Sequence, residues 1–312
     1  MLKYYDLIGG KVAEGQSSGS ILVSISPSEA EQKKLISEHG IDEHSLVSAL
    51  DPDEPARIEQ EPDHITFIFK RPKNYSANDR FLFKVSSIGF FVYREKLIIV
   101  LSEDIPLFNG RAFFGMERPE DVFLRILSQS IRHYLEHLKV INQIADEIEG
   151  LISVSMENKH LLNLFSLEKS LVYYLSAVNS NGYSLEKLKA LAPKIGYSTN
   201  SQELIDDLLI ENTQCYRQAE IHSNILASLM DARASIVSNN LNILMKTLNL
   251  STIFIMVPTF VVSAFSMNID IPFEHHPKAF WIVLTLSLVS LFVVMVWWNL
   301  ISTRLTRNGS SK

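Results

Sequence analysis

The chain has 312 residues, a formal net charge of −6 and a single cysteine, Cys215. The acidic balance and the lack of a basic stripe argue against nucleic-acid binding. One cysteine excludes an intrachain disulfide and a zinc-finger ligand set. Because no nucleophile motif surrounds Cys215, we expect it to be a small buried or interfacial helix residue. Mean hydropathy is only +0.10, which predicts that most of the chain is water-soluble.

The first hundred residues indicate a mixed α/β domain. Residues 28–36 predict a short helix, with acidic residues early and basic residues late, as the helix dipole favours. The N-terminus lacks the apolar segment of a signal peptide, so we expect this domain in the cytosol. Four segments rich in branched and aromatic residues predict β-strands, at 20–25, 65–70, 81–93 and 97–101.

The hydrophobic period then changes to that of helices. Apolar residues at steps of three and four predict one long helix over 123–148. A second is predicted over 159–178, ended by Asn-Ser-Asn-Gly at 179–182. A third begins near Ser201 and meets no proline or glycine before Pro258. We interpret it as one stalk helix that runs from the cytosolic domain into the membrane.

Two apolar stretches near the C-terminus, 248–266 and 279–301, contain no ionisable side chain. Their lengths of about 19 and 23 residues suit a hydrocarbon core about 30 Å thick, and the short connection predicts an antiparallel hairpin. Basic residues follow the positive-inside rule if both termini are cytoplasmic and the connection lies outside. The basic residues that flank the two stretches are Lys246, Arg304, Arg307 and Lys312, whereas the connection contains Asp270 and Glu274. The second stretch also has tryptophans at its ends, as membrane interfaces favour: Trp281, Trp297 and Trp298.

These segments predict an α+β fold with three regions. Residues 1–118 form an N-terminal α/β cytosolic domain, and 119–246 form a cytosolic helical stalk region. Residues 247–312 form a transmembrane hairpin with a basic cytosolic tail. Within it the first span covers about 248–268, the outer loop 269–278 and the second span about 279–301.

The first span carries a stripe of small polar side chains and methionines, whereas the second is mostly Leu, Val, Ile, Phe and Trp. Polar groups on one face of a spanning helix need either another helix or water. The stripe therefore predicts either helix packing or a pore lining, and a two-helix chain can enclose a pore only as a ring of subunits. It comprises Asn242, Met245, Asn249, Thr252, Met256, Thr259 and Ser263.

The same region resembles the CorA family of magnesium transporters. It reads Ser238-Asn-Asn-Leu-Asn, Met245-Lys-Thr-Leu, Pro258-Thr-Phe and Ser266-Met-Asn, without a net gap relative to the family pattern. The resemblance implies a non-enzymatic, funnel-shaped homopentamer in the inner membrane of a prokaryote. Such a protein passes hydrated divalent cations through a pore lined by the first span, and Mg²⁺ is the expected ion.

By position, the resemblance also implies site residues. The outer filter would consist of Asn268, Met267 and Ser266, and the polar pore rings of Thr259 and Asn242. The apolar gate would consist of Met245, Leu248 and Met256, and Asp231 and Asp207 would be regulatory Mg²⁺ sites or, alternatively, solvated helix faces.

Two departures from the family pattern stand out. Ser266 replaces the glycine of the outer signature, and serine tolerates a positive φ poorly. The upstream regulatory position falls on Ser48, although Asp51, Asp53 and Glu54 lie close to it in sequence. Three hypotheses therefore stay open: a magnesium transporter, a Zn²⁺, Ni²⁺ or Co²⁺ transporter of the same family, and a non-transporting membrane-anchored scaffold or sensor.

Two histidine motifs offer rival readings. His133-Tyr-Leu-Glu136-His137 matches the H-x-x-E-H pattern of zinc peptidases, but the apolar stripe already explains this helix and no third ligand is evident. His275 and His276, with Glu274 and Asp270, could attract a transition metal in the outer loop, where a solvated polar loop is the alternative.

Overall fold

The computed structural model describes residues 1–15, 19–75, 81–110, 113–154, 158–267 and 277–309, with the backbone alone for 151–154, 158, 160–161 and 301–309. The chain divides into two units, Met1–Met230 and Asp231–Lys312. The strands of the described residues are β1 (Leu2–Ile8), β2 (Lys11–Glu14), β3 (Ile21–Ile25), β4 (Arg57–Gln60), β5 (Ile65–Pro72), β6 (Val85–Val92) and β7 (Leu97–Leu101). The helices are α1 (Glu29–His39), α2 (Glu43–Leu50), α3 (Pro119–Val154), α4 (Asn158–Leu191), α5 (Thr199–Ala264) and α6 (Ala279–Gly309).

The first unit contains one mixed sheet in the order β2-β1-β3-β7-β6-β5-β4. Only the β3–β7 pair is parallel among these neighbours, and the others are antiparallel. The sequence correctly predicted β3, β5 and β7, but the strand predicted at 81–93 is shorter and occupies only Val85–Val92. Strands β1, β2 and β4 and helix α2 were not predicted.

Helix α1 confirms the prediction for residues 28–36. Ser28 is its N-cap and accepts a hydrogen bond from the backbone N–H of Glu31, whose side chain in turn binds the backbone N–H of Ser28. This reciprocal pair satisfies two donors that the first turn would otherwise leave free. The helix ends at Gly40, which adopts a left-handed conformation that glycine takes without steric cost.

The sheet is covered by apolar side chains on both faces. On one face, Leu46 of α2 packs with Phe91 and Ile98 of the central strands. On the other face, the Phe123 ring of α3 meets Phe67 edge-on at 5.3 Å between ring centroids. Every residue of β5 is consequently buried, although its sequence alternates in the manner of a strand with one wet face.

Helix α4 corrects the sequence prediction, because it continues through residues 179–182 to Leu191. Asn181 is fully buried, and its side-chain amide pairs with Lys70 of β5: Oδ1 accepts from the backbone N–H and Nδ2 donates to the carbonyl, both at 2.8 Å. Strand β4 begins at Arg57, opposite Ile68 of β5, so Lys70 lies beyond the part of that edge that β4 pairs with. Asn181 satisfies that backbone as a neighbouring strand would.

Gly182 and Asn212 mark the contact between α4 and α5. A Cβ atom on Gly182 would lie 3.1 Å from Nδ2 of Asn212, tighter than ordinary packing. The same Nδ2 donates to the carbonyl of Val178 at 3.0 Å. The polar Asn-Ser-Asn-Gly segment therefore fits tertiary contacts rather than a helix end.

Helix α5 confirms the prediction of one long stalk helix. It begins at Thr199, two residues before the predicted start, and runs without interruption through Pro258 to Ala264. Its first part belongs to the first unit, where Ile205, Leu208 and Cys215 lie in the core. Burial raises the pKa of the Cys215 thiol to about 12, so this residue is an unreactive core thiol, as expected.

Replacing Asn181 by Leu should destabilise the first unit. The change leaves the N–H and the carbonyl of Lys70 buried without a partner, and each buried unpaired group costs about 1–3 kcal/mol. We expect the thermal unfolding midpoint of the purified full-length protein to fall. The matched control is Asn179→Leu, at an exposed position of the same helix. Equal midpoints for the two variants would contradict the role given to Asn181.

Candidate functional site

The second unit contains the last part of α5 and helix α6. Thr199–Ala264 and Ala279–Leu300 are long and apolar enough to cross a membrane. Almost nothing in their most apolar windows is buried by the chain itself, which distinguishes them from core helices of a soluble protein. Large apolar side chains such as Leu248 (61% exposed) and Met256 (63% exposed) therefore need lipid or other subunits around them.

The polar stripe predicted from sequence lies on one face of α5. Its members recur at steps of three and four, which on a helix with 100° per residue keeps them within about a third of the circumference. All are exposed and none is covered by α6. The exposed polar and methionine positions are Asn242, Met245, Asn249, Thr252, Met256, Thr259 and Ser263.

Two hydroxyl groups of this face, those of Thr252 and Thr259, donate their protons to the helix itself. Oγ1 of Thr252 donates to the carbonyl of Leu248 at 2.9 Å, and Oγ1 of Thr259 donates to the carbonyl of Ile255 at 2.7 Å. A hydroxyl has one proton and two lone pairs. Because the proton is used, each oxygen can act towards its surroundings only as a hydrogen-bond acceptor.

Pro258 interrupts the backbone hydrogen bonds of α5 next to Thr259. Proline has no N–H, so the carbonyl of Phe254 lacks the amide donor that it would find four residues later. A kink or a locally loosened turn is the usual consequence at an internal proline. The helix nevertheless continues through Pro258 to Ala264, so the missing backbone hydrogen bond is tolerated within one turn of Thr259.

Ser266 lies just beyond the end of α5, in a turn where its backbone N–H donates to the carbonyl of Ser263 at 3.1 Å. Its φ is not positive: among the described non-glycine residues only Ser26 and Phe81 have a positive φ. The serine that replaces glycine here therefore carries no backbone strain in this structure. Its hydroxyl donates to the carbonyl of Val262 at 3.0 Å, and Met267 beside it is exposed.

Several predicted positions lie outside the described residues. They are Asn268 of the filter and the outer-loop cluster of Asp270, Glu274, His275 and His276.

One contact in the second unit was not predicted. The Nζ atom of Lys246 lies 5.7 Å from the ring centroid of Trp298, a cation–π contact between α5 and α6. Lys246 directly follows Met245 of the predicted gate. The sequence predicted that Trp298 lies at a membrane interface, but it did not predict the contact with Lys246, which depends on the packing of α5 against α6.

The predicted regulatory residues are described here within their own units. Asp207 is exposed in the first unit, and Asp231 is exposed in the second. Glu54 is paired with the Arg57 guanidinium. The carboxylate of Asp51 accepts from the backbone N–H of Asp53 at 2.8 Å. Among the described residues, no three His, Cys, Asp or Glu side chains are grouped to hold a metal ion.

Lys70 fixes the loop that carries Asp51, Asp53 and Glu54. Its buried ammonium donates to the carbonyl of Pro52 at 2.5 Å, to the carbonyl of Glu54 at 2.7 Å and to Oγ of Ser87 at 3.0 Å. Burial lowers the pKa of Lys70, and the nearby Asp51 is the first of three acids that oppose the shift. The loop is therefore anchored by an internal cation.

The H-x-x-E-H segment is a packing element rather than a zinc site. Nδ1 of His137 forms a 2.6 Å hydrogen bond with the hydroxyl of Tyr174, and its ring stacks on the Tyr174 ring. The His133 ring meets the His137 ring edge-on at 4.3 Å between ring centroids. The alternative that the sequence favoured, an apolar helix face, is confirmed by the burial of Tyr134, Leu138 and Ile141.

The fold and the exposed stripe define a class: a membrane protein with two spans near its C-terminus and a mixed-sheet domain before them. The family model described as "CorA-like Mg2+ transporter protein" matches residues 20–300. The chain belongs to this family, and it is accordingly a divalent-cation transporter of the CorA family.

Individual relatives agree with that assignment. The cobalt/magnesium transport protein CorA of Methanocaldococcus jannaschii is 25% identical over 281 residues, covering 86% of each chain. The complete structure of the CorA magnesium transporter from that organism has a TM-score of 0.80 at 21% identity, over 96% of both chains. The full-length CmaX protein has a TM-score of 0.72 at 15% identity, over 97% of this chain and 98% of CmaX. These two solved structures, at 21% and 15% identity, show a shared fold.

Acid should destabilise the first unit through His137. Burial, assisted by the charge of His133, lowers the pKa of His137 from 6.5 to about 4. An unfolded chain takes up this proton near pH 6.5, whereas the folded chain resists until about pH 4, so stability is full above pH 6.5 and falls with pH across that window. Between pH 7 and pH 5 we expect a loss of about 1–2 kcal/mol from this group.

Thermal unfolding of the wild type and His137→Gln at both pH values measures this effect. The variant should lose part of the acid sensitivity, while His44→Gln, at an exposed position of α2, should keep it. Identical pH dependence in all three proteins would disprove the assignment.

Proposed function

We propose that five copies of this chain surround a pore that conducts hydrated Mg²⁺ across the membrane. A single chain has one helix with a polar face and one that is almost wholly apolar, which cannot enclose water. A ring of subunits can place the stripe of α5 around an axis and leave α6 towards lipid. Family membership and the shared fold support this arrangement.

The observation that carries the proposal is the acceptor character of the stripe. The water molecules bound to Mg²⁺ direct their protons outwards, and Mg²⁺ gives up those waters reluctantly. A pore that passes the hydrated ion therefore needs hydrogen-bond acceptors on its wall. Thr252 and Thr259 supply them, since their protons are already bound to the helix backbone. Neutral oxygens avoid the deep trap that carboxylates would create.

We assign successive functions along the pore. Asn268, with Met267 and Ser266, forms the outer filter, and Thr259 and Asn242 form polar rings further in. Met245, Leu248 and Met256 form an apolar gate that closes by excluding water, and the exposure of all three in the isolated chain leaves them free for that role. Asp231 and Asp207 bind regulatory Mg²⁺ between subunits.

We place both termini in the cytoplasm and the hairpin connection outside, in a prokaryotic inner membrane. Lys246 precedes the first span and basic residues follow the second, as the positive-inside rule requires. The cation–π contact of Lys246 with Trp298 lies at this end of both helices and suits a membrane interface.

Cobalt is the second candidate ion. The relative from Methanocaldococcus jannaschii is named a cobalt/magnesium transport protein, and a wall that contacts only bound water discriminates weakly between hydrated divalent ions. The outer-loop histidines, His275 and His276, would favour Co²⁺, Ni²⁺ or Zn²⁺ at the entrance.

Flux into proteoliposomes tests the proposal. We expect saturable Mg²⁺ uptake, with Co²⁺ competing, by a preparation whose mass corresponds to five chains of 35.4 kDa. Asn268→Ala should abolish most Mg²⁺ uptake without changing that mass. Zn²⁺ or Ni²⁺ uptake in place of Mg²⁺ would favour the transition-metal alternative. A pentamer that passes no divalent ion would leave the scaffold or sensor function, and intact Mg²⁺ flux in Asn268→Ala would refute the filter assignment.

Thr259→Val should reduce Mg²⁺ flux about tenfold or more. Valine keeps the shape and removes the acceptor oxygen, and a hydrogen bond to a charged partner contributes about 1.5–3 kcal/mol. The matched control is Thr247→Val, on the opposite side of α5, whose hydroxyl likewise donates to its own helix, to the carbonyl of Ile243 at 2.9 Å. If both variants conduct equally well, the hydroxyl of Thr259 does not contact the permeating ion's water.

A further inference from the structure

The first unit contains a cavity of about 520 Å³ that the transport function does not use. It lies between the ends of β5 and β6, the segment 105–110 and the middle of α3. Its volume falls in the range of small-molecule sites in proteins, about 300–1,000 Å³. All of its lining residues belong to the unit Met1–Met230.

Arg71 lines the polar end of this cavity. Its side chain is buried (4% exposed), Nη1 donates to the carbonyl of Pro72 at 3.2 Å, and Nη2 donates to Glu103 at 2.5 Å. A guanidinium has five N–H donors. Its Nε, shielded from solvent, has no acceptor in the described part of the chain. A buried cation with unused donors at a cavity wall is costly unless something pairs with it.

The charge around Arg71 is incompletely balanced. Glu103 also binds Nζ of Lys73 at 3.3 Å, so one carboxylate serves two cations. Arg132, on the facing wall, is exposed and forms no ion pair with a described residue. Glu136, one turn further along α3, is the acidic side chain among the described lining residues, where it faces the two arginines. With the adjacent Lys73 and Glu103 included, three cations face two carboxylates, which leaves an excess of one positive charge.

Helix α3 presents further hydrogen-bonding groups to the same cavity. Four polar residues of α3 follow one another at steps of three, one and three, which places them on one helix face. They are Gln129, Arg132, His133 and Glu136. Burial lowers the pKa of His133, Glu136 opposes the shift and Arg71 adds to it. The imidazole is consequently neutral at pH 7 and offers one donor and one acceptor.

Apolar side chains form part of the remaining wall, beside Asn74, Asn109 and Ser130. Ile105, Pro106 and Leu107 come from the segment after β7, and Ile88 and Phe113 complete the surface. An inorganic ion would leave these walls uncovered. A ligand with a charged head and an organic body would fill both ends.

We propose that this cavity binds a small organic anion whose phosphate or carboxylate head pairs with Arg71 and Arg132. Guanidinium groups bind both heads through two parallel hydrogen bonds, which is why arginine predominates at such sites. The body of the ligand lies against Ile105 and Leu107. This site is independent of the pore, so its failure would leave the transport proposal intact.

Isothermal titration of the purified full-length protein with three probes tests the site. Adenosine 5′-monophosphate carries a phosphate head and succinate a carboxylate head, and inorganic phosphate has no organic body. We expect saturable one-site binding of at least one organic probe, about tenfold tighter than inorganic phosphate, and the preferred probe identifies the head. No saturable binding of either organic probe, or equal binding of inorganic phosphate, would overturn the proposal.

A pair of variants locates the site. Arg132→Gln should weaken binding of the preferred probe about tenfold to a hundredfold, because one charge-assisted hydrogen-bonding partner is lost. Lys139→Gln removes the same charge from an exposed position of α3 that does not line the cavity, and it should bind as the wild type does. Both variants should keep the wild-type unfolding midpoint. Equal weakening in the two would show general surface electrostatics instead of this cavity.

Discussion

The hydrogen bonds from side-chain hydroxyls to the backbone of α5 are the interaction on which the membrane unit depends. In hydrocarbon a hydroxyl proton finds no water, so an unpaired one costs several kcal/mol. Thr252, Thr259 and Ser266 each give this proton to the carbonyl four residues earlier. The helix thereby tolerates these hydroxyls in an apolar sequence, and their oxygens remain available as hydrogen-bond acceptors. The same bonds that permit membrane insertion thus fix the chemistry that the face can offer to an ion.

The first unit uses the same kind of bond between elements that are distant in sequence. Asn181 replaces a missing strand at the edge of β5, and Oγ of Ser170 accepts from the backbone N–H of Phe83 at 2.9 Å. Nδ2 of Asn212 binds the carbonyl of Val178 in the neighbouring helix. Buried backbone groups need partners, and here polar side chains of the helices provide them. Directional hydrogen bonds, as well as apolar contacts, therefore determine how the helices pack on the sheet.

Local patterns explain which elements were predictable. The alternation in β5, the apolar runs of β3 and β7 and the three- and four-residue steps of α3 are properties of short windows, and each was predicted. Strands β1 and β2 lie at one edge of the sheet and mix polar with apolar residues, so their sequences resemble loops. The end predicted for α4 at 179–182 was wrong because the roles of Asn181 and Gly182 depend on β5 and α5, which no local window contains.

The polar stripe was predictable from spacing alone, but a single chain cannot use it to line a pore. That function requires several subunits around one axis. Among the described residues the stripe is exposed, and its methionines would be unfavourable in water. A surface of this kind becomes stable when identical surfaces face one another across a narrow, hydrated axis, where acceptors meet water and apolar rings meet each other. Rotation of α5 by one residue, about 100°, would turn the acceptors towards lipid. The contact of Lys246 with Trp298 opposes such a rotation, because it links the helix that carries the stripe to the helix beside it. In the proposed pore, the first span would therefore supply the groups that face the ion, and the second span would help to hold the first in its orientation.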